Sequence, residues 1–260
     1  MKIPFYKYEG TGNDFVLIDN RTPFFQASTE EINRLCDRRF GIGADGLILL
    51  QDHVGFDYEM VYYNADGRLG SLCGNGSRCL AAFAKKMGVV SENATFLASD
   101  GYHEVVLKEN GDIKLKMSSV NIPEMQSDYA FLDTGSPHYI QFVDSVDQVM
   151  VVERGREIRY NDRFREKGTN VNFVEAASNS LMVRTYERGV EDETLSCGTG
   201  VTASALAAAL RYPSTTREFW DIMTLGGKLR VYFQQGSSQF TDIWLEGPAN
   251  LVFTGEITIQ

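Results

Sequence analysis

V201-T-A-S-A-L-A-A-A-L210 offers water only Thr202 and Ser204 across ten positions. A helix that is apolar nearly all round is buried all round. A second segment of this kind runs through L80-A-A-F-A84 to Gly88. Each has to be wrapped by other elements, and strands are what the chain has to spare. Alternating segments such as F15-V-L-I-D19, F56-D-Y-E-M-V-Y-Y63, Y102-H-E-V-V-L-K108, L181-M-V-R-T-Y186 and I243-W-L-E246 are separated by turn signals. N110-G111 predicts a hairpin with a tight primed turn, and S178-N179 and Q235-G236 read similarly. A third helix is capped by Ser28 or Thr29, carries Glu30 and Glu31 in its first turn and runs to about Arg39. It reads as a surface helix. The expected fold class is α+β. Two pseudo-symmetric domains each wrap a curved, mostly antiparallel sheet or barrel around a central buried helix, with the active site in the cleft between them.

The pseudo-symmetry comes from a repeat. Y63-N-A-D-G-R-L-G-S-L-C-G-N-G-S-R-C-L-A-A-F and Y186-E-R-G-V-E-D-E-T-L-S-C-G-T-G-V-T-A-S-A-L share one plan: strand end, acidic turn, Cys-Gly-x-Gly, apolar helix. Cys73 and Cys197 stand 124 positions apart, near half the chain, which suits duplicated domains better than a solenoid. N13-D-F-V16 and N172-F-V174 are set side by side as a further matching pair, and the first half is expected to carry the extra helix and G41-I-G-A-D-G46. A boundary near S118-S-V-N-I-P123 divides the chain into residues 1–118 and 119–249. The closing strand, about 250–260, is assigned to the first half.

A cysteine just before a helix sits among backbone N–H groups without intrahelical partners, where the helix dipole favours the thiolate. The same N–H groups bind a carboxylate, and the glycines allow close approach. Two such sites facing each other would hold one carbon between two sulfurs. One thiolate then removes a proton beside a carboxylate and the opposite thiol returns one to the other face, inverting configuration. The developing negative charge needs donors aimed at it in a dry site, which helix N-termini provide. Nothing in this chemistry demands a cofactor or a metal.

Composition narrows the field. With 43% apolar and 23% charged residues, the 260-residue chain reads as globular. A formal net charge of −10 without a basic run argues against nucleic acid and against an anionic membrane surface. There is no run of eighteen apolar residues and no signal-peptide profile, so a cytoplasmic location is expected. Cys36, Cys73, Cys79 and Cys197 form no C-x-x-C pair and are expected to be reduced.

Taken together, G10-T-G-N-D-F15, G41-I-G-A-D45, N64-A-D-G67, C73-G-N-G76 with Arg78, Pro137 and His138, N172-F173, E187-R188-G189 and C197-G-T-G200 resemble the diaminopimelate epimerase family, within the cofactor-independent amino-acid racemases. The resemblance covers nearly the full length. It implies reversible inversion of one stereocentre of 2,6-diaminopimelate, between the L,L and meso forms, in lysine and cell-wall precursor synthesis. Cys73 and Cys197 resemble the acid/base pair. Gly74, Asn75, Gly198 and Thr199 would give backbone donors to the carboxylate at the reacting carbon. Asn13, Asn64, Asn172, Glu187 and Arg188 resemble substrate-gripping residues, and His138 and Glu187 match positions that tune the thiols. A homodimer is implied as well.

The chain departs from the pattern in four places. Ser136 stands where many relatives have asparagine, Gly46 where some have glutamine, and Glu191, Asp192 and Glu193 lengthen an acidic turn that reads as solvated. Phe253 stands where the family has a tyrosine near the dimer contact. Cys36 and Cys79 are assigned to packing, as are Tyr62, Tyr63 and Phe83. Two other functions stay open: a proline or hydroxyproline type of racemase, and a non-catalytic amino-acid-binding protein.

Overall fold

The computed structural model describes residues 2–70, 72–214 and 218–258. Ser71 of the first glycine motif, and Ile259 and Gln260 of the closing strand, lie outside the described residues. In chain order the first elements are β1 (Lys2–Gly10), β2 (Asn13–Asp19), α1 (Thr29–Cys36), β3 (Gly46–Gln51), β4 (Tyr58–Asn64), α2 (Gly74–Lys86), β5 (Asn93–Ala98), β6 (Gly101–Leu107) and β7 (Ile113–Lys116). There follow β8 (Val120–Asn121), β9 (Glu124–Met125), β10 (Tyr129–Asp133), β11 (Pro137–Phe142), α3 (Val151–Arg159), β12 (Asn170–Ala176) and β13 (Ser180–Glu187). The chain closes with β14 (Asp192–Thr194), α4 (Gly198–Arg211), β15 (Phe219–Thr224), β16 (Gly227–Gln235), β17 (Gln239–Gly247) and β18 (Asn250–Thr258). Two compact units result: Met1–Leu115 with Gly247–Gln260, and Lys116–Glu246.

Within the first unit β1 pairs antiparallel with β2 and with β18, β3 with β4, β5 with β6, and β6 with β7. The pairs β2–β3 and β4–β5 are parallel. The second unit repeats this order. Strands β10–β11, β12–β13, β15–β16 and β16–β17 are antiparallel, whereas β11–β12 and β13–β15 are parallel. Parallel neighbours need a crossover connection, usually a helix. Helices therefore fall at the same two places in each unit: α1 and α2 bridge the parallel pairs of the first unit, α3 and α4 those of the second.

This corrects two sequence expectations. The helix before the glycine motif is not peculiar to the first half, because α3 occupies the equivalent crossover. V151-V-E-R-G-R-E-I-R159 escapes a periodicity search because it buries only Val151 and Gly155, the glycine so close that a Cβ there would stand 2.4 Å from Tyr186 Cβ. The second correction concerns Asn13 and Asn172. Phe15 pairs with Gly46, and His138 pairs with Asn170, at the same place in the two units. Counting back two residues along each strand sets Asn13 against Ser136, not against Asn172. Asn172 instead takes the position of Ile48, and Thr185 that of Tyr62.

Packing follows the pleat. In β12, Val171 and Phe173 join Val151, Phe164 and Tyr186 in a cluster on the α3 side. Val174 lies on the other face with α4, whose Val201, Ala203, Ala205, Leu206 and Ala207 pack against Leu132, Ile140, Leu181, Trp220, Val231 and Leu245. Both faces of this strand are covered, as expected for a strand with a parallel neighbour. Helix α1 ends at Cys36 rather than Arg39. Its Ser28–Glu31 capping box fixes the start, and the backbone turns to an extended conformation at Asp37.

The N110-G111 turn forms, but Gly111 alone has positive φ, 91°, so it is a wider loop rather than a primed turn. The primed geometry is found at Thr11 and Gly12, with φ 52° and 84°, directly before Asn13. Glu191 and Glu193 are tied inward instead of solvated. Glu193 takes a bidentate pair from Arg184 at 2.6 and 2.7 Å, and Glu191 accepts from Tyr186 Oη at 2.9 Å.

Candidate active site

Both glycine motifs cap buried helices. Cys73 is the N-cap of α2 and Cys197 the N-cap of α4, each extended in backbone, with φ/ψ of −112°/114° and −123°/111°. Each is partly exposed, while Cys36 and Cys79 are buried. Burial pushes the Cys36 thiol up to about 11 and raises Cys79 further. Phe83 is fully buried as expected, and Tyr62 and Tyr63 are half-buried.

In the first unit Cys73 Sγ accepts from Gly76 N at 3.5 Å and faces Asn13 Oδ1 at 3.5 Å. Asn75 Nδ2 donates to the same Oδ1 at 3.3 Å. The Asn13 amide is oriented from behind, because its Nδ2 donates to Asp45 Oδ2 at 2.6 Å. Asp45 in turn pairs with Arg38, which binds Asp14, and Lys7 Nζ reaches Asp14 at 2.7 Å. That explains G41-I-G-A-D45: it delivers the carboxylate that fixes Asn13. Arg78 is fully buried beneath the helix start and donates to Asn75 Oδ1 at 2.9 Å, Thr11 Oγ1, Gly74 O and Pro248 O. Asn64 ends β4, its side chain exposed and its carbonyl accepting from Gly67 N.

In the second unit Cys197 Sγ lies 3.4 Å from Thr199 Oγ1, and Thr199 Oγ1 lies 2.9 Å from His138 Nε2. Asn172 Nδ2 donates to His138 Nδ1 at 3.0 Å and to Tyr139 O at 3.3 Å, and its Oδ1 accepts from Thr185 Oγ1 at 2.9 Å. Asn172 and His138 are both fully buried, so the Asn172 amide is spent on the imidazole. Arg188 Nη1 donates to Lys167 O at 2.8 Å and Nη2 lies 3.5 Å from Ser136 Oγ. Its backbone N–H donates to Asn170 Oδ1 at 2.8 Å. Glu187 ends β13, and its carbonyl accepts from Glu191 N at 2.8 Å.

Asp45, Asn170 and Thr185 are thus added to the residues picked from sequence. Asn170 was legible in principle, since N170-V-N172 puts two asparagines on one face of a strand. Asp45 closes the G41-I-G-A-D45 motif, which did not reveal its partner Asn13, and Thr185 gave no signal at all.

The glycines are required by contact. A Cβ at Gly200 would stand 2.4 Å from Asn172 Oδ1 and 3.3 Å from His138 Cε1, and one at Gly76 would stand 2.9 Å from Ile48 Cδ1. These contacts reproduce, at equivalent glycines, the correspondence of Asn172 with Ile48 read from the strand register.

Burial, with Arg188 adding to it, pushes His138 down to about 3. The imidazole is neutral near pH 7. Because the folded value lies below the ordinary 6.5, the unfolded chain binds the extra proton first. This contribution to stability is complete above about pH 6.5 and is lost as pH falls toward 3. Melting temperatures measured from pH 7 to pH 4 should therefore fall less steeply in His138→Gln than in the unaltered protein. Equal slopes would show that His138 is not buried neutral.

Comparisons with known proteins supply the family. The family model described as diaminopimelate epimerase matches residues 5–123 and 130–252. A diaminopimelate epimerase of Flavobacterium psychrophilum is 50% identical over 95% of this chain and 97% of its own length. That of Chlorobaculum tepidum is 41% identical over 96% and 99%. Among solved structures, a hydroxyproline epimerase from Agrobacterium vitis superposes with a TM-score of 0.70 at 12% identity, covering 98% of this chain and 92% of that one. A phenazine biosynthesis protein of the PhzF family from Bacillus anthracis gives 0.73 at 15% identity over the whole of both chains. At such identities the solved structures speak for the fold, while the two sequence relatives and the family model carry the assignment. The chain belongs to the diaminopimelate epimerase family.

Proposed function

We propose that the protein interconverts L,L- and meso-2,6-diaminopimelate by a two-base transfer at one α-carbon, serving lysine and peptidoglycan precursor synthesis. In this reading Cys73 and Cys197 are the acid and the base. The thiolate takes the α-proton, the electron pair moves into the adjacent carboxylate to give an enolate-like intermediate, and the opposite thiol delivers its proton to the other face. The first sulfur ends as thiol and the second as thiolate, so the enzyme is left ready for the reverse reaction.

One observation carries this reading. The two units place a partly exposed cysteine at the same point, the N-cap of a buried helix followed by Gly-x-Gly. A carboxylate-binding module would need the helix N-termini but would have no use for two sulfurs. The N–H groups of Gly74, Asn75, Gly198 and Thr199 are the carboxylate donors of this reading. Asn13, Asn64, Glu187 and Arg188 supply polar groups for the rest of the substrate, with Ser136 beside Arg188. Homodimerisation and a cytoplasmic setting belong to the same reading.

The test is turnover. Purified protein in reducing buffer should convert L,L-diaminopimelate to the meso form, followed by chiral chromatography, without added metal or cofactor. Proline and 4-hydroxyproline should be left unchanged. Inversion of either imino acid in place of diaminopimelate would reassign the substrate, and binding without inversion of any of them would leave a binding protein.

A further inference from the structure

The two half-sites are not equivalent, and the difference lies beneath the helix ends. In the first unit the positions under α2 are filled by Phe15, Ile48 and Tyr62, with the two rings edge-on at 6.0 Å between centroids. At the same positions under α4 the second unit has His138, Asn172 and Thr185. The fold itself thus shows that an apolar set suffices here. A buried polar chain is costly unless every member is satisfied, and here each one is hydrogen-bonded.

The order of donors in that chain is determined. Tyr139 O can only accept, so the Asn172 end facing it is the NH2, which also faces His138 Nδ1. Nδ1 therefore accepts. A neutral imidazole then carries its hydrogen on Nε2 and donates it to Thr199 Oγ1 at 2.9 Å. Asn170 Nδ2, 3.5 Å from Nε2, is itself a donor and cannot take that hydrogen. With its oxygen accepting from His138, the Thr199 hydroxyl has its own hydrogen to give, and Cys197 Sγ lies 3.4 Å away. The charged group facing His138 is Arg188, whose sign also disfavours an imidazolium.

Resting on the two-thiol function proposed above, we propose that Thr185, Asn172, His138 and Thr199 form a directional hydrogen-bond relay that presents the Thr199 hydroxyl hydrogen to Cys197 and so favours its thiolate form. His138 is then a positioning residue rather than the base that deprotonates the thiol. Asn172 and Thr185 belong to this relay and not to the substrate grip. The first unit offers Cys73 an acceptor, Asn13 Oδ1, in addition to the Gly76 N–H, so its sulfur is the better placed of the two to keep a proton.

The test reads each thiol separately. The rate of iodoacetamide alkylation is measured at Cys197 and Cys73 from pH 5 to 10 by peptide mapping. In Thr199→Val, alkylation of Cys197 at pH 7 should be slower by about tenfold or more, the size expected for a lost hydrogen bond to an ionised group. Cys73 should be unchanged, and Thr199→Ser should restore the original profile. Asn172→Leu, which fills the site as Ile48 does, should shift Cys197 the same way with the circular dichroism spectrum retained. An unmoved Cys197 profile in Thr199→Val overturns the relay. A shift in Thr199→Val without one in Asn172→Leu removes Asn172 and Thr185 from it. Alkylation does not depend on the substrate, so a wrong substrate would show in the turnover assay while leaving this result intact.

Discussion

Replacing either Cys73 or Cys197 by serine should lower epimerisation by about a thousandfold or more, with ligand binding largely kept. General acid–base groups contribute roughly a hundred- to ten-thousandfold, and a serine hydroxyl is far too weak an acid to stand as its anion near neutral pH. Either loss alone is enough, because one group can remove a proton but inversion needs a second on the opposite face. Kinetic constants for both variants, with isothermal titration of diaminopimelate, check this. Activity within tenfold of the unaltered protein in either variant would remove that cysteine from the chemistry. The serines are close in size to the cysteines and sit at N-cap positions that favour serine, so folding should survive.

Gly200→Ala should instead lower folding stability, and more than Gly76→Ala. At Gly200 the new methyl group meets the Asn172 amide oxygen at 2.4 Å, an atom held by Thr185 and coupled to His138. The amide cannot turn away without breaking its bonds. At Gly76 the methyl group meets Ile48 Cδ1 at 2.9 Å, the free end of an aliphatic side chain that can change rotamer. Overpacking costs about 1–3 kcal/mol, so urea unfolding should place Gly200→Ala near the top of that range and Gly76→Ala near the bottom. Comparable losses in the two would mean that the polar set under α4 is no more rigid than its apolar counterpart.

These glycine contacts also show how far the sequence could be read. The helices α2 and α4 were legible because neither has a broad polar face, and the repeat was legible because Cys-Gly-x-Gly recurs with an apolar run behind it. Helix α3 was not, since a helix lying on the outer face of a sheet needs to bury few residues and can be charged elsewhere. The order of strands was hidden too. Nothing local distinguishes β3, buried on both faces, from a loop motif that ends in an apolar run.

The site divides along the same line. Cys73 and Cys197 are singled out by their position at the start of a helix, which a sequence displays. What orients them depends on contacts between distant segments. Asp45 reaches Asn13 across 32 positions and His138 reaches Thr199 across 61. Asn172 is set among the substrate-gripping residues by resemblance alone, and a sequence cannot display that it is fully buried with its amide bonded to His138, Tyr139 and Thr185.

The central claim is that two different groups move the proton, and early-time isotope incorporation tests it most directly. L,L-diaminopimelate is incubated with the protein in deuterium oxide under reducing conditions and sampled before a tenth has reacted. With two bases, the meso product carries one deuterium at the inverted carbon while the remaining L,L substrate stays protonated. Deuterium accumulating in the remaining L,L substrate as fast as in the product would mean that a single group serves both faces, and would contradict the two-thiol mechanism.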